Sequence, residues 1–210
     1  MQLTFASYNI HKAVGTDGKR DPARILNVLN EVGADIVCLQ EADMRFGTRA
    51  PVLPRFLIES HTDYVPVPLD VQHDSMGWHG NAILAKRGIT VESHDIIHIP
   101  YLEPRGVVTA TLETAAGALT VFGMHLDLSG LWRRRQAHAI LAHVHASTRQ
   151  LPTVMMGDLN EWRRDARSSL KPLSARFSAP VMAQSFPARY PLFALDRMMA
   201  CPQGELHDLM

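Results

Sequence analysis

Apolar and polar residues alternate with two different periods along this chain. Residues 3–10, LTFASYNI, alternate every second position, the period of a half-buried strand. Residues 21–34, DPARILNVLNEVGA, take the helical period instead, with Asp21 placed to cap the start, Pro22 suited to the first turn and Gly33 placed to end it. DIVCLQE (35–41) is a short continuous apolar run and predicts a buried strand. APVLPRFLIES (50–60) predicts a second short helix, with Pro54 as a contrary sign. Four more strands are expected over 80–86, 90–99, 106–114 and 118–126, the last two joined by a hairpin through TAAGA. Residues 131–149 predict a long helix, with Trp132, Ala139, Ile140 and Val144 near its apolar face. A strand over 152–159, a helix starting near Arg163 and breaking near Pro172, and a last strand over 192–200 complete the pattern. Strands outnumber helices and the helices are interspersed. This predicts sheets packed together with helices outside, rather than one doubly wound sheet. No repeat, low-complexity tract or linker divides the chain, so residues 1–210 are expected to form a single domain.

Composition narrows the class. Apolar residues make up 46% and charged residues 20%, ordinary for a globular chain, and 21 basic residues balance 21 acidic ones. That balance gives no support to broad electrostatic binding of nucleic acid. Charge is uneven, however: residues 131–176 hold 9 Lys/Arg against 3 Asp/Glu, whereas residues 1–130 hold 10 against 15. The basic block either attracts an anion or is a solvated helix face. Cys38 and Cys201 make neither a disulfide framework nor a metal cluster, and a reducing compartment fits them. With no leader-like start in MQLTFASYN and no run long enough to span a bilayer, a cytoplasmic chain is expected.

Four of the apolar runs end in a polar side chain: Asn9, Glu41, His125, and Asp158 with Asn160 just beyond. Each alone has a plain structural explanation, such as a turn cap, an ion pair or a hydrogen-bonded core histidine. Together they fit a ligand site, because rigid strand ends fix side chains while the adjoining loops adapt. Oxygen donors from Glu, Asn and Asp suit a hard cation, Mg²⁺ or Mn²⁺, and no HExxH or CxxC spacing suggests zinc. A hard cation beside an Asp, an Asn and a His is a kit for hydrolysing a phosphate ester.

SYNIHK, DIVCLQE, HGNAILAK, GMHLD, GDLNEW and LDRM occur in that order. From Leu3 to about Met199 the chain resembles the endonuclease/exonuclease/phosphatase superfamily, the DNase I-like metal-dependent hydrolases, and among them its small bacterial members. The resemblance implies a four-layer α/β sandwich with two mixed sheets face to face. It implies metal-site roles for Asn9 and Glu41, with Glu41 the direct ligand. His125 would contact the scissile phosphate, Asp158 would activate the attacking water, and Asn160 would hold the nucleophile and a phosphoryl oxygen. Asp196 would pair with a catalytic histidine, Asn81 would be a supporting polar group, and His11 and Arg105 would lie near the mouth. The family's last strand carries a Ser-Asp-His motif, which these 210 residues do not show; His207 and Asp208 stand in reverse order. A sandwich short of that strand, with an open sheet edge, is therefore expected. The leading expectation is a Mg²⁺- or Mn²⁺-dependent phosphodiesterase or phosphatase acting on a small molecule, lipid headgroup or nucleic acid, with no obligate protein partner. The alternatives are a nuclease that applies Arg133–Arg135 and Arg163–Arg164 to backbone phosphates, and a non-catalytic phosphate-ligand or protein-binding scaffold.

Overall fold

The computed structural model describes residues 2–44, 50–69, 75–147, 149–163, 165–178 and 183–201. The first sheet contains β1 (Phe5–Asn9), β2 (Ile36–Gln40), β3 (Tyr64–Pro66) and β4 (Ala82–Lys86), in the order β1-β2-β4-β3. The second contains β5 (Thr90–Ile97), β6 (Gly106–Thr114), β7 (Gly117–His125), β8 (Thr153–Asp158) and β9 (Asp196–Cys201), in sequence order. Each sheet is mixed: β1–β2 and β7–β8 are parallel and the other pairs antiparallel. The helices are α1 (Pro22–Val32), α2 (Arg55–His61), α3 (Gly130–Ala146) and the single turn α4 (Lys171–Ser174).

The alternation of side chains in β2 shows why the layers stack as they do. All five of its residues are buried. Ile36 and Cys38 point between the sheets, where they meet Val108, Ala110, Val121, Val154 and Met156. Val37 and Leu39 point outward, onto Ile25, Leu26 and Leu29 of α1 and Ile58 of α2. The second sheet repeats the scheme, with Phe122, Met124, Met155 and Met199 turned out against Ala137, Ile140 and Val144 of α3 and Leu173 of α4. A strand apolar on both faces belongs inside such a stack, and the result is the expected helix–sheet–sheet–helix sandwich. Burial between the sheets raises the Cys38 thiol pKa and leaves it inert.

Several elements differ from their sequence expectations. β3 was not anticipated: three residues are too few to show a period. α2 begins only at Arg55, because Pro54 sits at its cap, where a missing N–H costs nothing. The helix expected to start near Arg163 does not form. Asp165 and Glu161 take up the backbone N–H groups of Arg167, Arg163 and Ser169, and the helical turn starts at Lys171, with Pro172 in its first turn instead of breaking it. The last strand starts at Asp196 rather than Leu192. Among the described residues β9 is an edge strand, and its outer edge is partly covered, since Ser178 and Ala200 exchange backbone hydrogen bonds of 3.0 and 2.9 Å. His207, Asp208 and Arg164 lie outside the described residues.

Candidate active site

Strand register brings the polar residues together. Asn9 is level with Gln40, His125 with Asp158, and Asp158 with Asp196, while Gly106 is level with His125. The polar ends of β1, β2, β7 and β8 and the starts of β6 and β9 therefore share one end of the sandwich. Asn9 Nδ2 donates to Asp158 Oδ2 at 3.1 Å, joining the two sheets across 149 residues of chain. Gly157 makes the last step of β8 possible. Its φ is +153°, and a Cβ there would lie 1.8 Å from the Met124 carbonyl oxygen, so only glycine lets β8 come this close to β7 just before Asp158.

Asp158 is the hub. Its Oδ1 accepts the Asn160 backbone N–H at 3.1 Å, and its Oδ2 lies 3.7 Å from His125 Nε2. Burial, and next the Asp196 carboxylate, push its pKa up to about 6, against the pull of the Asn9 and Asn160 donors. His125 is 3% exposed, and Arg105 Nη1 lies 2.6 Å from its Nε2 and 2.9 Å from its Nδ1. Burial, then the Arg105 charge, lower its pKa to about 3, so the ring is neutral and its approach to Asp158 is not an ion pair. Asn160 Nδ2 donates to the Leu126 carbonyl at 2.9 Å. Asp196 is raised by burial and eased by the Ser185 hydroxyl, and its Oδ1 is buried with no hydrogen-bond partner among the described residues.

Glu41 follows β2 and meets Lys12, whose ammonium contacts Oε2. Burial raises the Glu41 pKa, but the Lys12 ammonium outweighs it, and the net shift is downward. Two further expected residues lie at this end. The His11 ring turns to the Val14 carbonyl, 3.2 Å away, and its backbone N–H donates to Asn9 Oδ1 at 3.0 Å. Asn81 is fully buried and spans the sheets, donating to the Trp78 and Gly106 carbonyls at 3.1 Å each, with Oδ1 unpartnered among the described residues.

The backbone is strained at this end. Among the described residues, His11, Lys12, Ala13, Glu41, His79 and Asn160 are the non-glycine residues with positive φ, the first three in a 3₁₀ turn after β1 and the others in loops at these strand ends.

A family model described as Endonuclease/Exonuclease/phosphatase family matches residues 6–207. The chain belongs to the endonuclease/exonuclease/phosphatase family. The uncharacterized protein YbhP of Escherichia coli K12 is 26% identical over 207 residues, covering 90% of this chain and 81% of YbhP. Two solved structures share the fold. The Bacteroides thetaiotaomicron mannosyl-6-phosphatase superposes with a TM-score of 0.71 at 17% identity, over 96% of this chain and 86% of that one. The D. rerio TDP2 complex with a single-strand DNA product gives 0.70 at 17% identity, over 94% and 83%.

In this endonuclease/exonuclease/phosphatase chain, the hydrophobic pattern left out a buried charge network that holds the site loops. Arg133, placed in sequence among anion-binding arginines, is 6% exposed. Its Nε donates to Ser169 Oγ at 3.0 Å, its Nη1 to the Asp127 carbonyl at 3.0 Å, and its Nη2 lies 3.7 Å from Glu161 Oε2. Arg133 is therefore withdrawn from any phosphate. Burial alone would push the Glu161 carboxyl up; the Ser169 hydroxyl, the Arg163 and Ser169 amides and Arg133 outweigh it and hold it below the usual carboxylate range. Polar residues on a helical period, Arg133 and Gln136 in step with Ala137, Ile140 and Val144, were the available signal. Lys12 was also missed, since a lone Lys three positions after Asn9 has no spacing that marks it.

Proposed function

We propose that this chain hydrolyses phosphate esters with the help of a divalent cation. The observation that carries the reading is Asp158: a buried carboxylate with a pKa of about 6, oriented by Asn9 and Asn160 and adjoining a neutral His125. A base titrating near neutrality is suited to taking a proton from water. Asp158 receives the proton of the attacking water, held in line by the Asn9 and Asn160 donors. The neutral His125, both of whose ring nitrogens lie within 2.9 Å of Arg105 Nη1, borders the phosphate beside Asp158. Arg105 adds a fixed positive charge where negative charge develops.

The donor set fits a hard cation and not zinc. Among the described residues no group of three His, Cys, Asp or Glu is spaced to hold a metal ion. Mg²⁺ needs no such cage, being held by one or two carboxylates with water and substrate phosphate filling the rest. Glu41 with the Asn9 amide oxygen would hold it, and the contact of the Lys12 ammonium with Glu41 marks that carboxylate as a cation partner already. When bound, the cation would neutralise phosphate charge. The test is hydrolysis of bis-p-nitrophenyl phosphate and p-nitrophenyl phosphate over a titration of Mg²⁺ and Mn²⁺. Cation-dependent turnover that chelation abolishes is expected. Turnover of neither ester at any cation concentration, with the protein folded, contradicts the reading.

A further inference from the structure

The exposed hydrophobic side chains are not scattered. Twelve large ones are exposed among the described residues; Val32, Phe56 and Val65 lie elsewhere, and of the other nine Leu131 lies in the first turn of α3 and eight on the loops at the active-site end. Exposure runs from 39% at Phe193 to 71% at Tyr190. They make two flanks, one on either side of the second sheet's strand ends. On one, Leu102 precedes β6 and Leu128 follows β7; on the other, Trp162 follows β8 and Phe193 precedes β9, their rings 5.6 Å apart.

These tips are held out by buried carboxylates. Asp127 is 1% exposed, and its Oδ2 accepts the Leu102 and Glu103 amides at 3.1 and 3.3 Å while its Oδ1 accepts that of Ser129 at 2.8 Å. Gln136 fixes the Asp127 amide at 2.9 Å. Glu161 holds the Arg163 amide at 2.9 Å, with Trp162 between them. The chain thus orders loops through buried charge and presents leucines and aromatic rings to solvent, an arrangement that folding alone does not require. Exposed arginines stand beside the tips: Arg134 and Arg135 next to Leu131, Arg163 next to Trp162, and Arg189 over the Tyr190 ring at 5.8 Å.

We propose that this rim docks on an anionic lipid surface and that the site takes the phosphoester headgroup of a lipid. The proposal deepens the hydrolase reading and rests on it. The rim mixes four leucines, which cannot stack on bases, with five aromatic rings, and Leu and Trp beside Arg is the composition that sits at a headgroup–acyl boundary. The arginines supply the attraction to anionic headgroups. The polar floor formed by His125, Asp158 and Arg105 then faces the phosphate while the rim takes the apolar remainder.

The experiment is co-sedimentation of the full chain with vesicles of phosphatidylcholine containing phosphatidylglycerol, alongside phosphatidylcholine alone and a labelled oligothymidylate. The rim variant is Leu102→Ser/Leu131→Ser, and the control is Val32→Ser/Phe56→Ser, each checked by thermal melting. Partition onto the anionic vesicles is expected for the parent and the control, and a loss of about tenfold or more for the rim variant. Hydrolysis of bis-p-nitrophenyl phosphate by the parent is measured on the same preparations. No partition of the folded parent, equal loss in rim and control variants, or oligothymidylate binding through the rim without vesicle binding would each overturn the proposal. Vesicle partition through the rim without turnover of the soluble ester would support the surface and sink the hydrolase reading.

Discussion

Glu161→Gln should be among the most destabilising single changes outside the sheets. Glu161 is 1% exposed, and its two oxygens accept from the Arg163 amide and from the amide and hydroxyl of Ser169, with Arg133 Nη2 3.7 Å away. Glutamine keeps the shape but turns an NH₂ toward donors and leaves the Arg133 charge buried and uncompensated. Breaking one side of a buried ion pair costs about 3–5 kcal/mol. In a chain of this size that is a fall in Tm of roughly 6–20 °C. The pH dependence fixes the cause. The folded Glu161 pKa lies below its unfolded value, so its contribution is present above the ordinary glutamate range and is lost as pH falls through the folded value. The gap between parent and variant, followed by circular dichroism melts from pH 8 to pH 3, should therefore close in acid. Replacing both partners, as Arg133→Met/Glu161→Leu, should recover much of the loss. A variant melting within a degree of the parent at pH 7, or a gap that does not change with pH, would refute the reasoning.

Gly157→Ala should cost about 1–3 kcal/mol or more, because the added Cβ would collide with the Met124 carbonyl oxygen 1.8 Å away; a urea melt checks it. Glu41→Gln should weaken Mn²⁺ binding in calorimetry, and Lys12→Met should strengthen it by removing the ammonium that contacts Oε2; equal affinities in all three would take Glu41 out of the cation site. In chelator, Asp158→Asn should stabilise the fold at pH 7 by about 1–3 kcal/mol, since a carboxyl with a folded pKa raised to about 6 loses stability as pH climbs past its unfolded value; that gain should vanish below about pH 4.

The layers were legible because burial on both faces writes itself as an unbroken apolar run, as in β2, and amphipathic burial as a helical period, as in α1. The strand-end residues were legible for the same reason: a polar side chain closing an apolar run stands out. What stayed hidden was polar burial. Arg133, Gln136 and Glu161 look like surface residues until tertiary contacts pair them, and no local period encodes a partner 28 or 36 positions away. Asn81 was expected as a supporting polar group, but its place as a clamp between sheets was not legible, since that is set by the meeting of the Trp78 turn with the start of β6. The apolar rim was hidden as well: Leu102, Leu128, Trp162 and Phe193 are spread over four loops, and only strand register collects them.

The most direct measurement is the effect of Asp158→Asn on kcat and KM for a phosphodiester at saturating Mn²⁺, with the parent's pH–rate profile beside it. A loss of about 10²–10⁴ in kcat with KM nearly unchanged is expected, with an acid limb in the parent's kcat/KM profile that the variant lacks. A variant that turns over at the parent's rate would leave Asp158 a turn residue and contradict the account.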